Sequence, residues 1–541
     1  MFIMYFYLVI VAFLICQIMV PIISRLAIKV ELGIDRPSQH KIHQSEVPRL
    51  GGIAILSGFF ISVLFFVEQE SHVLRGIVLG GMVIFLTGLI DDVAGLRPFQ
   101  KLAGQIMGSL VVILIGGVQL SSLGNPLGTG AIQLGMLAVP VTLFAIVGVI
   151  NAINLMDGLD GLAGGVSLIA SFCFAILAYR IDNPLLMSLS TALCGALLGF
   201  LVYNTYPARI FMGDSGSLVL GYCLAVFSIM LVESDQGRIS TLTPLLILLI
   251  PVLDVLVVMV GRWKQKSKIF SADRTHLHYR LLDLKIGHRQ AVLLIYGMSY
   301  ICSVLAVIVY DKPDATLMML IVCVGGLQYL VLKRLQSYPK EESRNQSFMT
   351  YDFFRSIVVR SNFLFLLIKY LVITLMLLTV FTQPGLGWVK TASWGLLVVF
   401  MLCFILKGRS RDNALLGLVY LSVIVVVFRQ VNFGTTVLFF ENSYLMYCNV
   451  CYALLGVAVL LKSFIRKRFG RVIDRPYEYF LLLLALSVPL LPVELTQQWH
   501  LLSVVAKCIL LFAAMKLILI RKTQGNRKVL AAILTALLLT W

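Results

Sequence analysis

Charged residues are scarce in this chain. Only 13% of its 541 residues are Asp, Glu, Lys or Arg, whereas 59% are hydrophobic. Soluble globular domains contain about 25% charged and about 45–50% apolar residues. A shortage of this size excludes an ordinary soluble domain and predicts a protein that lies in a membrane.

Cysteine pairs and several common catalytic motifs are also missing from the sequence. The ten cysteines are scattered through apolar segments, and Cys448 and Cys451 form the single C-x-x-C. Because no second pair or histidine accompanies them, they are predicted to be small packed side chains instead of a zinc or redox site. The absence of an H-E-x-x-H motif and of a P-loop lysine argues against a zinc hydrolase and a P-loop nucleotide-binding domain.

Long apolar runs make up much of the sequence. They recur at lengths near twenty residues, and about 20 helical residues cross a hydrocarbon core about 30 Å thick. Lipid forces backbone polar groups to bond within the protein, and runs such as 141–149 lack the alternation of a porin-type strand. The predicted fold is therefore all-α, a polytopic transmembrane helical bundle.

The apolar runs fall into two blocks. Residues 1–335 contain about 11 predicted spans and residues 361–541 about seven more, at about 20 residues for each crossing. The polar segment 336–360 is predicted to be a cytoplasmic linker between the blocks. The first span has no basic segment ahead of it and is expected to remain as a membrane anchor.

Basic residues lie in alternate loops of the first block. Segments 29–49, 91–101, 204–215 and 262–289 carry them, whereas the loops between these segments carry few. The positive-inside rule assigns the basic loops to the cytoplasm. The net charge of +18 is explained in this way, and no nucleic-acid partner is predicted.

Unusual polar residues gather in the same cytoplasmic loops. Asp91 and Asp92 end the third predicted span, and Lys101 follows them. Adjacent carboxylates at a membrane boundary are costly without cations or donors, so a metal, a transferable proton or Lys101 is the expected partner. A solvated loop start is the plainer alternative for this pair.

A second group follows the fifth predicted span and repeats every third residue: Asn151, Asn154, Asp157 and Asp160. On a helix this spacing keeps side chains roughly on one face. Four amide or carboxylate side chains exceed what a helix cap needs, so a binding face is predicted. Helix capping and packing are the alternative.

Two further acids stand near predicted helix ends or breaks. Asp214 lies at the start of the eighth span, where a helix N-terminus suits either a metal-bound phosphate or a simple N-cap. Asp254 lies inside a predicted span, after Pro251, which we expect to break the helix. An acid within a span is a functional candidate by default.

Two basic loops add cationic groups. The most basic loop contains Arg274, His276 and His278, and the first cytoplasmic loop contains Lys41. Arginine and imidazole groups close together can hold a pyrophosphate or donate to a leaving group. The alternative is an ordinary basic loop beside the membrane.

Carboxylates without a thiol nucleophile, a serine triad or a redox motif favour a Mg²⁺ site, with Mn²⁺ as a candidate substitute. Mg²⁺ takes a few carboxylate or amide oxygens and completes its shell with waters and substrate phosphates. The nearby cations would neutralise phosphate charge, as phosphoryl transfer requires. These residues therefore predict a Mg²⁺-dependent phosphotransferase that acts on a lipid phosphate.

Several of these motifs occur in one order that resembles a known family. They are Asp91-Asp92 with Lys101, Asn151-x-x-Asn154-x-x-Asp157-Gly-x-Asp160-Gly, Phe211-Met-Gly-Asp214-Ser-Gly-Ser, Pro251-x-x-Asp254 and Arg274-x-His276-x-His278. The first loop, with Asp35-Arg36-Pro37, Lys41-x-His43 and Pro48-x-x-Gly51-Gly52, also matches. Over about residues 1–335 the chain resembles the polyprenyl-phosphate N-acetylhexosamine-1-phosphate transferases.

The resemblance implies a reaction and a setting. Undecaprenyl phosphate would attack the β-phosphate of a UDP-N-acetylhexosamine, with UDP-N-acetylglucosamine as the expected donor, and release UMP. The product would start a cell-envelope glycan of the O-antigen, enterobacterial common antigen, teichoic acid or exopolysaccharide type. The enzyme would lie in the bacterial cytoplasmic membrane with its site facing the cytoplasm, and the resemblance leaves a homodimer open.

The resemblance also implies roles for individual residues. The metal ligands would be Asn154 and Asp214. The catalytic residues would be Asp91, Asp92, Lys101, Asp157, His276 and His278, with Asp91 or Asp92 orienting or deprotonating the lipid phosphate. Substrate binding would involve Lys41, Asn151, Asp160, Asn204, Asp254 and Arg274.

Two departures from the family pattern leave alternatives open. Tyr279 stands where many members of the N-acetylglucosamine-1-phosphate branch have histidine, and the block 361–541 has no counterpart in the usual architecture. The peptidoglycan muramyl-pentapeptide enzyme, which typically has three consecutive histidines, is one alternative. A lipid-linked sugar transporter or flippase is another, although no internal repeat supports it.

The topology predicts the side from which the histidine loop is reached. A Thr275→Cys variant in membrane vesicles is expected to react with an impermeant maleimide from the cytoplasmic face only, because the positive-inside rule assigns this loop to the cytoplasm. Labelling is measured by the mass shift of the modified chain. Labelling from the opposite face would invert the topology.

Overall fold

The computed structural model describes residues 2–35, 46–67, 71–234, 239–264, 276–284 and 286–336, with a few isolated positions beyond residue 369. Its elements lie in the compact unit Met1–Pro339. The helices are α1 Phe2–Val30, α2 Gly51–Phe66, α3 His72–Ala94, α4 Pro98–Leu114, α5 Ala138–Met156, α6 Leu162–Arg180, α7 Pro184–Asn204, α8 Gly213–Glu233, α9 Thr243–Ile247, α10 Leu249–Lys264, α11 Leu277–Asp283, α12 His288–Val309 and α13 Asp314–Gln336. The strands β1 Ile34–Asp35 and β2 Val47–Pro48 pair antiparallel.

The predicted all-α, polytopic class is confirmed. Within the described ranges, seven helices are long and apolar enough to cross a membrane: α1, α3, α5, α6, α7, α8 and α12. Two other spans predicted for residues 1–335 correspond to shorter helices, the 16-residue α2 and the 17-residue α4. The spans predicted for 361–541, and nearly all of the 336–360 linker, lie outside the described residues.

Three apolar helices form the centre of this unit. Side chains of α6, α7 and α8 are buried on almost every face. A helix that is hydrophobic all round must be covered by protein or lipid. Helix α1 packs against α7 and α2, α12 packs against α6, and α8 contacts α3 and α5. The site residues on α3, α5 and α8 are therefore carried by helices that contact one another.

The Asn151–Asp160 group does not form one helical face, so that expectation is wrong. Helix α5 continues to Met156, which places Asn151 and Asn154 on its last turns. Asp157 is the C-cap, with ψ of 43°, and Asp160 lies in the turn before α6. Gly161 has a φ of +80°, a left-handed conformation that ends the turn and that glycine adopts without strain.

The predicted break at Pro251 is displaced. The chain leaves helical geometry at Leu248, between α9 and α10, and Pro251 lies in the first turn of α10. A proline is tolerated there because N–H groups of a first turn have no intrahelical partner. Asp254 therefore belongs to α10, a 16-residue helix that starts after the break.

A cluster of polar contacts lies where α8 ends and α13 begins. The Asp314 carboxylate accepts the N–H of Asn125 at 2.5 Å and of Thr241 at 3.1 Å, and it contacts the Ser240 hydroxyl. Glu233 accepts the N–H of Ser121 at 2.8 Å. These bonds attach the 121–134 loop to the helices without using any predicted site residue.

Close packing of α1 on α7 depends on Gly195. A Cβ at this position would overlap the backbone oxygen of Val9 on α1. We expect Gly195→Val to lower the free energy of unfolding by about 1–3 kcal/mol through overpacking. The measurement is the thermal midpoint of the purified protein in detergent.

The matched control is Gly148→Ala on α5. A Cβ at Gly148 meets nothing within 4 Å, and alanine favours helix by about 0.5–1 kcal/mol over glycine. This variant should keep or raise the midpoint. Equal midpoints for Gly195→Val and the wild type would contradict the proposed packing constraint.

Candidate functional site

Asp92 holds the start of α8 against the end of α3. Its Oδ1 accepts the N–H of Asp214 at 2.7 Å and its Oδ2 accepts the N–H of Ser215 at 2.9 Å. These amides belong to the first turn of a helix, where N–H groups have no intrahelical partner and favour a negative charge. Gly213 has a φ of +69°, and a Cβ there would overlap the backbone oxygen of Arg49 and approach the Asp92 carboxylate.

Lys101 links the carboxylates of Asp91 and Asp214. Its Nζ lies 3.2 Å from Oδ2 of Asp91 and donates to Oδ2 of Asp214. The other oxygen of Asp91 accepts the N–H of Leu96 at 2.6 Å. The three charged side chains are 15–28% exposed, so a ligand can reach them.

Asn154 brings the end of α5 to the same place. Its amide nitrogen donates to Oδ1 of Asp214 at 2.7 Å and to the Ser217 hydroxyl at 2.8 Å. Asn151 lies one turn earlier and donates to the buried Gln105 of α4 at 2.9 Å. Asn154 is thus in the cluster, while Asn151 joins α5 to α4.

Asp157 lies among other acids. Its pKa is raised well above its usual value, first by burial and then by the charges of Asp214, Asp92 and Asp160, while Arg49 opposes the shift. The guanidinium of Arg49 also lies 2.7 Å from the buried Asp35. Arg49 is a positive group of the site that the sequence motifs did not single out, because it resembles any basic residue of a cytoplasmic loop.

Asp160 and Asn204 shape the loop that leads to α8. Asp160 accepts the N–H of Ala208 at 2.8 Å. Asn204 is 2% exposed, accepts the N–H of Gly161 at 3.0 Å and donates to the backbone oxygen of Ile210 at 2.9 Å. Both ends of the Asn204 amide bond to backbone groups and support the loop, and its role in substrate binding stays a prediction.

The two histidines of the basic loop lie at the start of α11. The Nδ1 of His276 lies 2.9 Å from Oδ2 of Asp254. His278 is 2% exposed, and burial lowers the pKa of its imidazole to about 4. A Cβ on Gly158 would overlap the Nε2 of His278, so this ring touches the turn between α5 and α6. Lys41 and Arg274 lie outside the described residues.

The donors in the cluster fit a Mg²⁺ ion. Asp214 and Asn154 are adjacent and supply the hard oxygen-bearing groups that this ion prefers, with water and phosphate oxygens left to complete the shell. Within the described part of the chain no group of three or more His, Cys, Asp or Glu side chains forms a dedicated metal cage.

Comparisons with known proteins identify the family of this chain. The model of glycosyl transferase family 4 matches residues 74–232, which include α5 and most of α3 and α8. A probable undecaprenyl-phosphate N-acetylglucosaminyl 1-phosphate transferase of Bacillus subtilis is 37% identical over 299 residues, 55% of this chain and 83% of the relative. The chain belongs to this family.

Other family members have similar names. A decaprenyl-phosphate N-acetylglucosaminephosphotransferase of Mycobacterium tuberculosis is 34% identical over 56% of this chain and 83% of the relative. An undecaprenyl-phosphate alpha-N-acetylglucosaminyl 1-phosphate transferase of Yersinia pestis is 28% identical over 52% of this chain and 78% of the relative. This family member is therefore a multi-pass polyprenyl-phosphate sugar-phosphate transferase.

The raised pKa of Asp157 predicts that this carboxylate lowers the stability of the protein as pH rises. Because its folded pKa is raised, the stability it contributes is complete below its unfolded pKa of about 3.9 and is lost as pH rises through the folded value. An Asp157→Asn variant in metal-free detergent buffer should therefore melt above the wild type, with a gap that grows as pH rises from about 4 to 8. Thermal midpoints at each pH measure the gap.

The control for this prediction is Asp283→Asn, at an exposed carboxylate in α11. It should follow the wild type to within about 0.5 kcal/mol across the pH range, as surface substitutions usually do. A constant gap for Asp157→Asn, independent of pH, would rule out the repulsion among these acids.

Proposed function

We propose that this protein transfers N-acetylglucosamine-1-phosphate from UDP-N-acetylglucosamine to undecaprenyl phosphate, with Mg²⁺ as cofactor and UMP as the second product. The observation that carries the proposal is the cluster of Asp91, Lys101, Asn154 and Asp214, in which one lysine bridges two carboxylates beside an amide. Names of the relatives support the acceptor and the sugar.

The reaction exchanges one phosphoanhydride bond for another. An oxygen of the lipid phosphate attacks the β-phosphorus of the donor, and the bond from that phosphorus to the bridging oxygen breaks, so that UMP leaves with the electron pair. When bound, Mg²⁺ would be held by Asp214 and Asn154 and would neutralise charge on the diphosphate. Lys101 would add a positive charge beside the same phosphates.

Asp91 and Asp92 have different partners, and we assign them different roles. Both oxygens of Asp92 accept amides of α8, so its task is to hold Asp214 in place. Oδ2 of Asp91 lies beside Lys101, a side-chain hydrogen bond links Asp91 to Asp214, and the carboxylate is partly exposed. Asp91 is therefore the candidate that orients the acceptor phosphate or takes its proton.

Positive groups surround the proposed donor position. Arg49, with its charge near Asp157, would contact the diphosphate from the side of the first loop. Arg274 and Lys41 are assigned there only by the family resemblance. The basic loops of the sequence support a site on the cytoplasmic side of the bacterial inner membrane, where nucleotide sugars are made available.

The histidine loop and the names of the relatives favour this donor over the muramyl-pentapeptide alternative. Leu277 stands between His276 and His278, so this loop lacks the three consecutive histidines typical of the muramyl-pentapeptide enzyme. Together with the relatives' names, this favours N-acetylglucosamine. The glycan that the product starts stays a prediction.

The decisive experiment measures UMP release by the purified full chain with Mg²⁺, undecaprenyl phosphate and each of four donors: UDP-N-acetylglucosamine, UDP-N-acetylgalactosamine, UDP-N-acetylfucosamine and UDP-MurNAc-pentapeptide. We expect turnover with UDP-N-acetylglucosamine that chelation abolishes. Asp214→Asn should lower turnover by about 100-fold or more while the thermal midpoint stays close to the wild type, because it removes a ligand charge at a partly exposed site. Turnover with the muramyl-pentapeptide donor alone, or none with any donor, would refute the proposal.

A further inference from the structure

A buried carboxylate joins α10 to α11 beside the candidate site. Asp254 is 7% exposed. Its Oδ2 lies 2.9 Å from Nδ1 of His276, and its Oδ1 accepts the N–H of Leu277 at 2.7 Å. One side chain therefore holds the first residue of α11 and the imidazole that precedes it.

These bonds determine which nitrogen of His276 carries hydrogen. An ionised carboxylate only accepts hydrogen bonds, so the Nδ1 that faces Asp254 must donate. Nε2 is then the ring nitrogen left for a ligand, and it is the one that can take up a proton.

The His276 ring packs on the ring of His278, and His278 in turn touches the turn that contains Asp157. His276 and His278 are stacked, with centroids 6.0 Å apart and planes 8° apart. The Nε2 of His278 touches Gly158, next to Asp157. Asp254 thus holds a pair of imidazoles against the turn that follows Asn154, although it lies on a different helix from the metal and acceptor groups.

The geometry points to Asp254 as a positioning residue that holds His276 in the Nδ1–H tautomer and docks α11 at the site. This inference rests on the proposed function, because His276 is taken to meet the phosphates of the nucleotide donor through Nε2. It replaces the expectation that Asp254 binds substrate, since both oxygens of Asp254 already contact α11.

The variant Asp254→Asn separates tautomer control from simple anchoring. Its amide oxygen can still accept the N–H of Leu277, but its NH₂ group faces Nδ1 of His276 and forces the ring hydrogen to Nε2. We expect the kcat of UMP release to fall by about 100-fold or more, with KM for UDP-N-acetylglucosamine changed by less than about threefold. A merely structural role would leave kcat near the wild-type value, because the anchor is retained.

A double-mutant cycle tests whether Asp254 acts through His276. His276→Ala should lower kcat to a similar extent, and the double variant should be within about twofold of His276→Ala alone, because residues that act as a unit are not additive. The matched control is Asp314→Asn, which alters another carboxylate that accepts backbone N–H groups but contacts no site residue. This control should keep wild-type kcat.

Two results would overturn the inference: Asp254→Asn with wild-type kcat, or losses that multiply in the double variant. A wild-type protein that releases no UMP from any donor would instead refute the proposed function. In that case the same four proteins test the pair through their thermal midpoints. Shifts that fail to add support the coupling of Asp254 with His276, and additive shifts overturn it.

Discussion

The arrangement of the site depends on the bond between one carboxylate and the first turn of a buried helix. Helix α8 begins beside the end of α3, its first N–H groups have no intrahelical partner, and Asp92 of α3 accepts two of them. That bond fixes the distance between α3 and α8. It also turns Asp214 toward Lys101 and Asn154, so the proposed metal ligands are positioned by a residue that does not touch the metal.

Much of this arrangement follows from local features of the sequence. Long apolar runs predict the helices, and a lipid environment allows few other structures for them. Asp91, Asp92, Lys101, Asn154 and Asp214 come together because they lie at helix ends on one side of the bundle, which the alternation of basic loops already indicates. Whether each residue performs its assigned role stays a prediction.

Other features depend on contacts that no local pattern contains. The amide of Asn204 is held by the backbone groups of Gly161 and Ile210, which fold back onto it from both sides. Arg49 becomes part of the site through Asp35, a partner on the neighbouring strand. The break before α10 falls at Leu248 because a proline fits the first turn of the following helix better than an interior position.

The bond between Asp92 and α8 also has a consequence for biosynthesis. Asp92 and its partners are separated by 122 and 123 positions in the chain. During translation α3 is therefore made well before the amides that satisfy its terminal carboxylate. Asp92 therefore gains these two partners only after α8 has been synthesised, and a chain that stops before α8 cannot form this link between the two helices.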